Sequence, residues 1–373
     1  MLPDKLLARL TTRHQAGSMR ELKVISNLID FASNDYLGYA RHKYDIACIS
    51  NGATGSRLLT GQSILHQQVE EKVAHFHEAE SALLFNSGYD ANLGLISSVA
   101  LRGDLILYDE LVHASIRDAI NLSYARALKF RHNDLGHLSI LLEKFSDGDD
   151  RNVYIITESV FSMDGDTPNL VALVELAQTV GNAHIILDEA HATGVIGNKG
   201  QGAAQAYDLN QDIFARVVTF SKSLGCHGAA VLGGFDLTQY LVNYARSFIY
   251  TTALPQHALH TILAAYDQLQ QDEKSVQQLQ SLIAQFNKMI VQNGLRLRFR
   301  ESVTPIQLCI IKGNERTRRA SQQLAEAGFD VRPILSPTVP AGHERLRICL
   351  HTFNTPQQCE ELLQKLANII KEL

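Results

Sequence analysis

Short apolar runs alternate with amphipathic segments between residues 81 and 234, and this alternation constrains the fold more than any other feature of the chain. The runs have the length and the β-branched and aromatic content of buried strands. They lie at residues 81–85, 105–109, 127–130, 152–159, 184–190, 216–221 and 229–234. Apolar strands separated by helices predict an α/β fold with a mostly parallel, doubly wound sheet. Such sheets bind ligands beyond the carboxyl ends of their strands.

The pattern changes after residue 255, where helical periodicity becomes dominant. Helices are expected at residues 256–293, 314–327 and 356–372, and strands at 296–300, 305–311, 329–334 and 345–351. This region predicts a smaller α+β domain. The expected organisation is an N-terminal segment that joins the small domain, a large ligand-binding domain and a C-terminal small domain, at residues 1–44, 45–255 and 256–373.

Composition and charge exclude several classes of protein. The 373 residues are 45% apolar, which suffices for a large core. A net charge of −5 gives no overall basic field, so neither nucleic acid nor a membrane surface is an expected partner. No apolar run reaches the roughly 18 residues of a membrane span, and the N-terminus lacks a secretion signal. The cysteines form no CxxC pair, so we expect reduced thiols in a cytoplasmic protein and no metal site: Cys48, Cys226, Cys309, Cys349 and Cys359.

Two predicted strands end in residues that can carry chemistry. The run HIILDEAHATG places Asp188 at the end of a buried strand, and RVVTFSKSLG places Lys222 just past the next one. A lysine at such a position loses solvation, which favours the neutral amine that can form an imine. Each residue also has an ordinary interpretation, because Lys222 alone could be a surface lysine and Asp188 a helix cap or turn residue.

A third segment can bind an anion. In FNSGYDANLG (85–94) a strand is followed by Ser87 and Gly88 and then by a helix, whose N-terminal amides attract negative charge. Pyridoxal phosphate (PLP) needs these three elements together. A lysine holds its aldehyde, a carboxylate keeps its pyridine nitrogen protonated, and backbone amides bind its phosphate.

The order of motifs along the chain resembles that of the α-oxoamine synthases, PLP enzymes of fold type I that join an amino acid to an acyl-CoA and release CO₂. The resemblance spans nearly the whole length. It is carried by FASNDYLG (31–38), NSGYDAN, HAS (113–115), TESVFSMDGD (157–166), DEAHATGVIG (188–197), TFSKSLG (219–225), IYTTALP (249–255) and PTVPAGHERLR (337–347). It implies the fold-type-I architecture, with a large PLP-binding domain and a smaller α+β domain.

The resemblance assigns residues to the coenzyme ring. Lys222 resembles the lysine that holds PLP as a Schiff base and acts as the catalytic base, and Asp188 resembles the partner of the pyridine nitrogen. His113 is similar to the histidine that stacks on the ring and assists catalysis. His191 and Ser162 resemble residues that contact the phenolic oxygen and the nearby face of the ring.

The resemblance also assigns the phosphate and the substrates. Gly88 and Tyr89 match the amides of the phosphate-binding loop, Thr219 adds a hydroxyl, and Thr251 resembles a residue that reaches the phosphate of the neighbouring subunit. Asn34 and Arg347 are similar to residues that bind the amino-acid carboxylate. Arg20 and Thr338 are similar to residues that contact the acyl substrate. A homodimer with the site at its interface is implied.

Several activities remain open within this resemblance. The closest motifs belong to the branch that uses alanine and a pimeloyl thioester, with CoA or an acyl-carrier protein as the thiol. Ser56 stands where glycine-using relatives tend to have threonine, and its smaller side chain favours alanine by leaving room for a methyl group worth ~1–3 kcal/mol. The alternatives are 2-amino-3-ketobutyrate CoA ligase, serine palmitoyltransferase, an aminotransferase or amino-acid decarboxylase, and a non-catalytic partner subunit.

Overall fold

A computed structural model describes residues 2–22, 24, 27–46, 50–145, 151–272 and 274–373. Cys48, one of the cysteines expected to be a reduced thiol, lies outside the described residues. The helices are α1 (Asp4–Gln15), α2 (Ile64–Phe76), α3 (Gly88–Val99), α4 (Ala114–Leu122), α5 (Leu135–Phe145), α6 (Leu170–Gln178), α7 (Ala203–Ala206), α8 (Phe235–Tyr244), α9 (Arg246–Ile249), α10 (Gln256–Gln271), α11 (Ser275–Gln292), α12 (Asn314–Glu326) and α13 (Pro356–Glu372).

The strands are β1 (Ile29–Asp30), β2 (Ser81–Phe85), β3 (Leu105–Asp109), β4 (Arg126–Phe130), β5 (Val153–Glu158), β6 (Ala183–Asp188), β7 (Ala215–Thr219), β8 (Ala229–Gly233), β9 (Ile306–Ile310), β10 (Phe329–Asp330), β11 (Arg332–Ile334) and β12 (Arg345–Cys349). Among the described residues, no helix has both the length and the apolar character to cross a bilayer.

The chain divides into two compact units. The first comprises Met1–Ser33, Met163–Gly165 and Ser281–Leu373, and the second comprises Asn34–Ser162 and Asp166–Gln280. These limits differ from the expected boundaries at 44/45 and 255/256. The three-part division into an N-terminal segment, a large and a small domain therefore stays a prediction.

The second unit is built on a seven-stranded sheet in the order β2-β8-β7-β6-β5-β3-β4. Strand β8 runs antiparallel to both of its neighbours, while the other pairs are parallel. The predicted α/β class with a mostly parallel sheet is thus confirmed. Leu95 and Ile96 of α3 pack in one buried cluster with Ile106, Ile156 and Ile186 of the strands. Burying each such side chain contributes about 1.5–3 kcal/mol, which fixes α3 against the sheet.

The first unit contains an antiparallel sheet in the order β11-β12-β9 and a short parallel pair, β1-β10. The strand predicted at residues 296–300 is wrong, because Arg296–Arg298 form a short 3₁₀ helix. Phe299 makes one isolated antiparallel bridge to Cys309, which does not extend into a strand. Leu297 is 99% exposed, whereas Leu295 and Phe299 are buried.

The long helical stretch predicted over residues 256–293 contains two helices, α10 and α11. Asp272 ends the first, and its Oδ1 accepts the backbone N–H groups of Lys274 at 3.1 Å and Ser275 at 2.9 Å. These amides begin the next helix and have no partner within it, so the carboxylate caps α11.

Candidate active site

Two acidic side chains meet at the carboxyl edge of the sheet. Glu158 ends β5, Asp188 ends β6, and the two residues are direct partners in the parallel register. Both are buried. Burial, reinforced by the charge of Asp188, raises the pKa of Glu158 to about 8. Its Oε1 accepts the backbone N–H of His113 at 2.6 Å. Near neutral pH, Glu158 therefore holds the start of α4 without adding a second full negative charge beside Asp188.

Asp188 is held by hydrogen bonds to both carboxylate oxygens. Oδ1 accepts the backbone N–H of Ala190 at 2.9 Å, and Oδ2 accepts Nδ2 of Asn92 at 2.8 Å. The donors come from the loop after β6 and from α3, two rigidly packed parts of the unit. They fix the orientation of the carboxylate, as a partner for a charged ring nitrogen requires.

His113 caps the N-terminus of α4. Its Nδ1 lies 3.2 Å from the backbone N and 2.8 Å from Oγ of Ser115. Burial lowers the pKa of His113; the charge of Asp188 acts against that shift and the charge of Lys222 adds to it. Lys222 follows β7, which pairs with the strand that Asp188 ends, so both charges lie on the same edge of the sheet as His113. The neutral imidazole is favoured.

Lys222 follows β7 in a tight turn. The backbone N–H of Gly225 donates to the carbonyl of Lys222 at 2.9 Å, and Gly225 has a φ of +61°. A Cβ at residue 225 would lie 2.1 Å from the backbone nitrogen of Ala40. Glycine is therefore required both by the left-handed conformation and by the close approach of the backbone at Ala40. This turn fixes the backbone that carries the lysine.

The segment that joins β2 to α3 forms a cradle. Ser87 caps α3, its Oγ accepting the N–H of Asp90 at 3.1 Å, and Gly88 is the first helical residue. A Cβ on Gly88 would lie 2.5 Å from Cγ2 of Thr219, so glycine allows Thr219 to come this close to the start of α3. Within the described part of the chain, the buried Oγ1 of Thr219 has no hydrogen-bond partner. A helix N-terminus with an unpartnered hydroxyl beside it fits a phosphate group.

Tyr89 and Thr251, two further residues predicted to bind the phosphate, make side-chain hydrogen bonds within the same chain. The hydroxyl of Tyr89 donates to Asp118, and this hydrogen bond raises the pKa of Tyr89. Oγ1 of Thr251 accepts Nδ2 of Asn86 at 3.0 Å, which places Thr251 beside the cradle of its own chain. The predicted reach of Thr251 to a neighbouring subunit stays a prediction.

His191 belongs to a hydrogen-bonded group that the sequence analysis did not identify. The buried Tyr36 places its Oη 2.7 Å from Nδ1 of His191 and 3.1 Å from Oδ1 of Asn34. Two predicted residues, one for the coenzyme and one for the substrate, thus share the hydroxyl of Tyr36. Ser162, assigned by resemblance to the ring face, donates its backbone N–H to Glu158.

Three predicted substrate residues lie in the first compact unit, whereas Asn34 lies in the second. Arg347 lies on β12, is buried, and places Nη1 2.9 Å from Sγ of Cys349. Arg20 and Thr338 are exposed. The roles of these residues toward substrates stay predictions.

Sequence reasoning missed Asn92, Ser115 and Tyr36, each of which contacts a residue it had selected. All lie inside quoted motifs: Asn92 in NSGYDAN, Ser115 in HAS and Tyr36 in FASNDYLG. All three are buried in the structure, and a buried polar group needs a partner. Their polar character inside motifs already selected was the available signal.

Comparison with known proteins agrees with this geometry. Residues 26–366 match the family described as aminotransferase class I and II. A curated relative from Emericella nidulans, called 8-amino-7-oxononanoate synthase, is 39% identical over 100% of this chain and 97% of its own length. The fold and site define a PLP-dependent transferase of fold type I. The chain belongs to the aminotransferase class I and II family.

Two solved structures extend the comparison. Serine palmitoyltransferase from S. paucimobilis, solved with bound PLP and myriocin, has a TM-score of 0.88 and 25% identity, covering 99% of this chain and 97% of that one. The 8-amino-7-oxononanoate synthase from Francisella tularensis has a TM-score of 0.76 and 28% identity, covering 92% and 98%. The predicted kinship with α-oxoamine synthases is confirmed, and the cofactor is PLP.

Proposed function

We propose that this chain condenses L-alanine with a pimeloyl thioester and releases 8-amino-7-oxononanoate, CO₂ and the free thiol, as a step of biotin biosynthesis. One observation carries the proposal. Asp188 and His113 are joined through Asn92 and Ser115 by hydrogen bonds, and Lys222 follows β7, the strand paired with the one that Asp188 ends. The chain is also 39% identical to a protein called 8-amino-7-oxononanoate synthase.

Bound PLP supplies an aldehyde that links to the amino acid and a ring that accepts the electron pair left at Cα. Asp188, held at both oxygens, keeps the proton on the ring nitrogen. Lys222 would hold the coenzyme through its side-chain amine. Its free amine then removes the Cα proton as general base and later returns a proton to the product.

His113 has two roles in this proposal. Its ring would pack on the bound coenzyme, and its Nε2–H would donate a hydrogen bond to the thioester carbonyl oxygen as negative charge develops there. A neutral histidine suits this role, because its ring N–H can donate this hydrogen bond without a change in the protonation state of the imidazole. Gly88, Tyr89 and Thr219 bind the phosphate, while His191 and Ser162 contact the ring.

The substrate assignments rest on the family resemblance. Asn34 and Arg347 bind the amino-acid carboxylate, which a guanidinium can hold with two parallel hydrogen bonds. Arg20 and Thr338 contact the acyl substrate. Ser56 leaves room for the methyl group of alanine.

We further propose that the protein is a homodimer with the site at its interface. Beside Thr251, a surface cavity of about 460 Å³ is lined by the exposed side chains of Leu58, Leu59 and Tyr250. Exposed apolar side chains around a cavity support contact with a second copy of the chain. The acyl donor is pimeloyl-CoA or a pimeloyl-carrier protein, and the other substrates are small molecules.

A second candidate is a serine palmitoyltransferase activity. The TM-score of 0.88 to that enzyme over 99% of this chain favours it. The two activities share Lys222, Asp188 and His113, and differ in the amino acid and the acyl chain.

A thiol-release assay with a panel of amino acids and acyl thioesters separates the candidates. We expect free thiol and CO₂ in equal amounts with alanine and pimeloyl thioesters, and comparing CoA with the carrier protein identifies the donor. Release with serine and palmitoyl-CoA alone would support the second candidate. Absence of thiol release with every pair would contradict both.

A further inference from the structure

Asn92 and Ser115 connect Asp188 and His113, two residues of the proposed coenzyme site. Asn92 lies on α3, is 2% exposed, and places Nδ2 2.8 Å from Oδ2 of Asp188 and 3.1 Å from Oγ of Ser115. Ser115 is fully buried, and its Oγ lies 2.8 Å from Nδ1 of His113. The side chains thus form a continuous chain from Asp188 to His113.

The positions of the protons along this chain can be worked out from one end. The Asp188 carboxylate only accepts hydrogen bonds, so the amide atom beside it must be Nδ2 of Asn92 and cannot be Oδ1. The second hydrogen of Nδ2 then points to Oγ of Ser115. Since Oγ already accepts there, its own hydrogen is free to point to Nδ1 of His113.

The backbone amide of Ser115 independently shows which nitrogen of His113 carries the hydrogen. The N–H of Ser115 also points to Nδ1 of His113, at 3.2 Å. A backbone amide can only donate, so Nδ1 must present a lone pair. The one ring hydrogen of the neutral imidazole therefore lies on Nε2.

We propose that Asn92 and Ser115 are positioning residues that hold His113 as the neutral tautomer with its hydrogen on Nε2. The inference deepens the proposed function, because a donor at Nε2 is what the thioester carbonyl oxygen needs. Asn92 supports two groups at once: it orients the carboxylate for the ring nitrogen and, through Ser115, selects the tautomer of the stacked histidine.

The tautomer can be measured without turnover. In full-length protein labelled with ¹⁵N-histidine, correlations between ring protons and ring nitrogens distinguish the two neutral tautomers. Comparison with the spectrum of His113→Gln assigns the His113 signals among the 15 histidines. With and without PLP, we expect one species with a protonated Nε2. A wild-type spectrum with the proton on Nδ1 would overturn the inference.

Variants test the roles of the two residues. Ser115→Ala leaves only the longer contact of the backbone N–H, at 3.2 Å, on Nδ1 of His113, and Asn92→Ala frees Oγ of Ser115 to accept a hydrogen from Nδ1. Each variant should therefore admit a fraction of the tautomer with its hydrogen on Nδ1. Asn92→Ala should also weaken PLP binding about tenfold by removing a donor to a charged group. Matched hydroxyl controls are Ser123→Ala at the other end of α4 and Ser97→Ala on α3, whose Oγ atoms donate to backbone carbonyls of their own helices. Both controls should leave the His113 signals unchanged.

The two proposals fail in distinguishable ways. If thiol release is absent but the wild-type tautomer and its response to Ser115→Ala are as expected, the proposed function falls and the tautomer assignment stands. If thiol release is present but His113 keeps one tautomer in both variants, the positioning roles fall. Thermal unfolding of each variant shows whether a lost signal reflects a lost fold.

Discussion

Glu158 and Asp188 end neighbouring parallel strands in direct register, and both side chains are buried. Asp188 receives hydrogen bonds at both oxygens, whereas burial and the charge of Asp188 raise the pKa of Glu158 to about 8. Like charges in a buried site repel each other, so the neighbouring carboxylate favours a proton on Glu158.

Glu158→Gln should make the protein more resistant to high pH. In the unfolded chain the carboxyl loses its proton near its ordinary value, whereas the folded protein retains it up to about pH 8. The folded state therefore binds more protons between these values, and the free energy of unfolding falls as the pH rises through this window. Glutamine keeps an acceptor for the N–H of His113 and removes the titration.

The measurement for Glu158→Gln is chemical denaturation between pH 5 and about 9. Its advantage over the wild type should grow with pH and level off above the folded pKa. Glu143→Gln on α5 is the control and should follow the wild type. An advantage for Glu158→Gln that shrinks as the pH rises would contradict the assignment.

Lys222→Ala should abolish catalysis and the covalent link to the coenzyme. The variant loses both the amine that forms the imine and the base that removes the Cα proton, and a positioned base alone contributes about 10²–10⁴-fold. Absorbance in the visible range and thiol release measure the two losses. Lys129→Ala, on β4 of the same sheet, removes an exposed lysine and should change neither. Turnover at wild-type rate in Lys222→Ala would refute the role of this lysine as base.

Asp188→Asn should slow exchange of the Cα proton of the amino acid more than it weakens coenzyme binding. The amide keeps the size of the carboxylate but cannot keep the ring nitrogen protonated, so electron withdrawal is lost while most contacts remain. Proton exchange of alanine in D₂O, followed by NMR, measures the step directly. Asp134→Asn preserves a cap at α5 and serves as the control. Unchanged exchange would count against the assignment of Asp188.

Much of the large sheet could be predicted because the signals are local. Asp188 and Lys222 follow apolar strands, and the carboxyl ends of parallel strands share an edge. The contact of Tyr36 with His191 could not be predicted in this way, since 155 positions separate the two residues and nothing local specifies their pairing.

The errors also have physical causes. At residues 296–300 the chain forms a short 3₁₀ helix and one isolated bridge, from Phe299 to Cys309, in place of the predicted strand. The helical stretch predicted over 256–293 did not include the break between α10 and α11. Asp272 caps the start of α11 by accepting the N–H of Ser275. A capping side chain before a helix is a signal that the sequence offers. Asn92 was read as part of an anion-binding motif, while its side chain points to a carboxylate.

His132→Gln should remove a stabilising charge that persists well above neutral pH. Burial opposes the charged form of His132, but hydrogen bonds to Asp109 at 3.0 Å and Asp166 at 2.8 Å outweigh it and raise the pKa to about 10. This stabilisation is complete below the unfolded pKa of about 6.5 and is lost as the pH rises through about 10. Denaturation at pH 6 and about 10 should show a large deficit for His132→Gln at the lower pH and a small one at the higher. His75→Gln on α2 is the exposed control, and a deficit independent of pH would contradict the charge assignment.

Thr219→Val should stabilise the protein without PLP and weaken PLP binding. The buried hydroxyl of Thr219 has no hydrogen-bond partner among the described residues, and an unsatisfied buried group costs about 1–3 kcal/mol. Valine preserves the shape and removes this cost, but it also removes the donor expected to bind the phosphate. Thermal unfolding of the PLP-free protein and PLP titration should therefore change in opposite directions.

The matched control for Thr219→Val is Thr317→Val, on α12 of the other unit. Thr317 is also buried, but its Oγ1 donates to the carbonyl of Ile311 at 2.5 Å and lies 2.9 Å from that of Gly313. Its loss leaves a buried carbonyl unpaired, so this variant should be less stable and bind PLP normally. If Thr219→Val lowered the stability of the PLP-free protein as Thr317→Val does, the hydroxyl of Thr219 would have a structural partner, and its assignment to the phosphate would lose its physical basis.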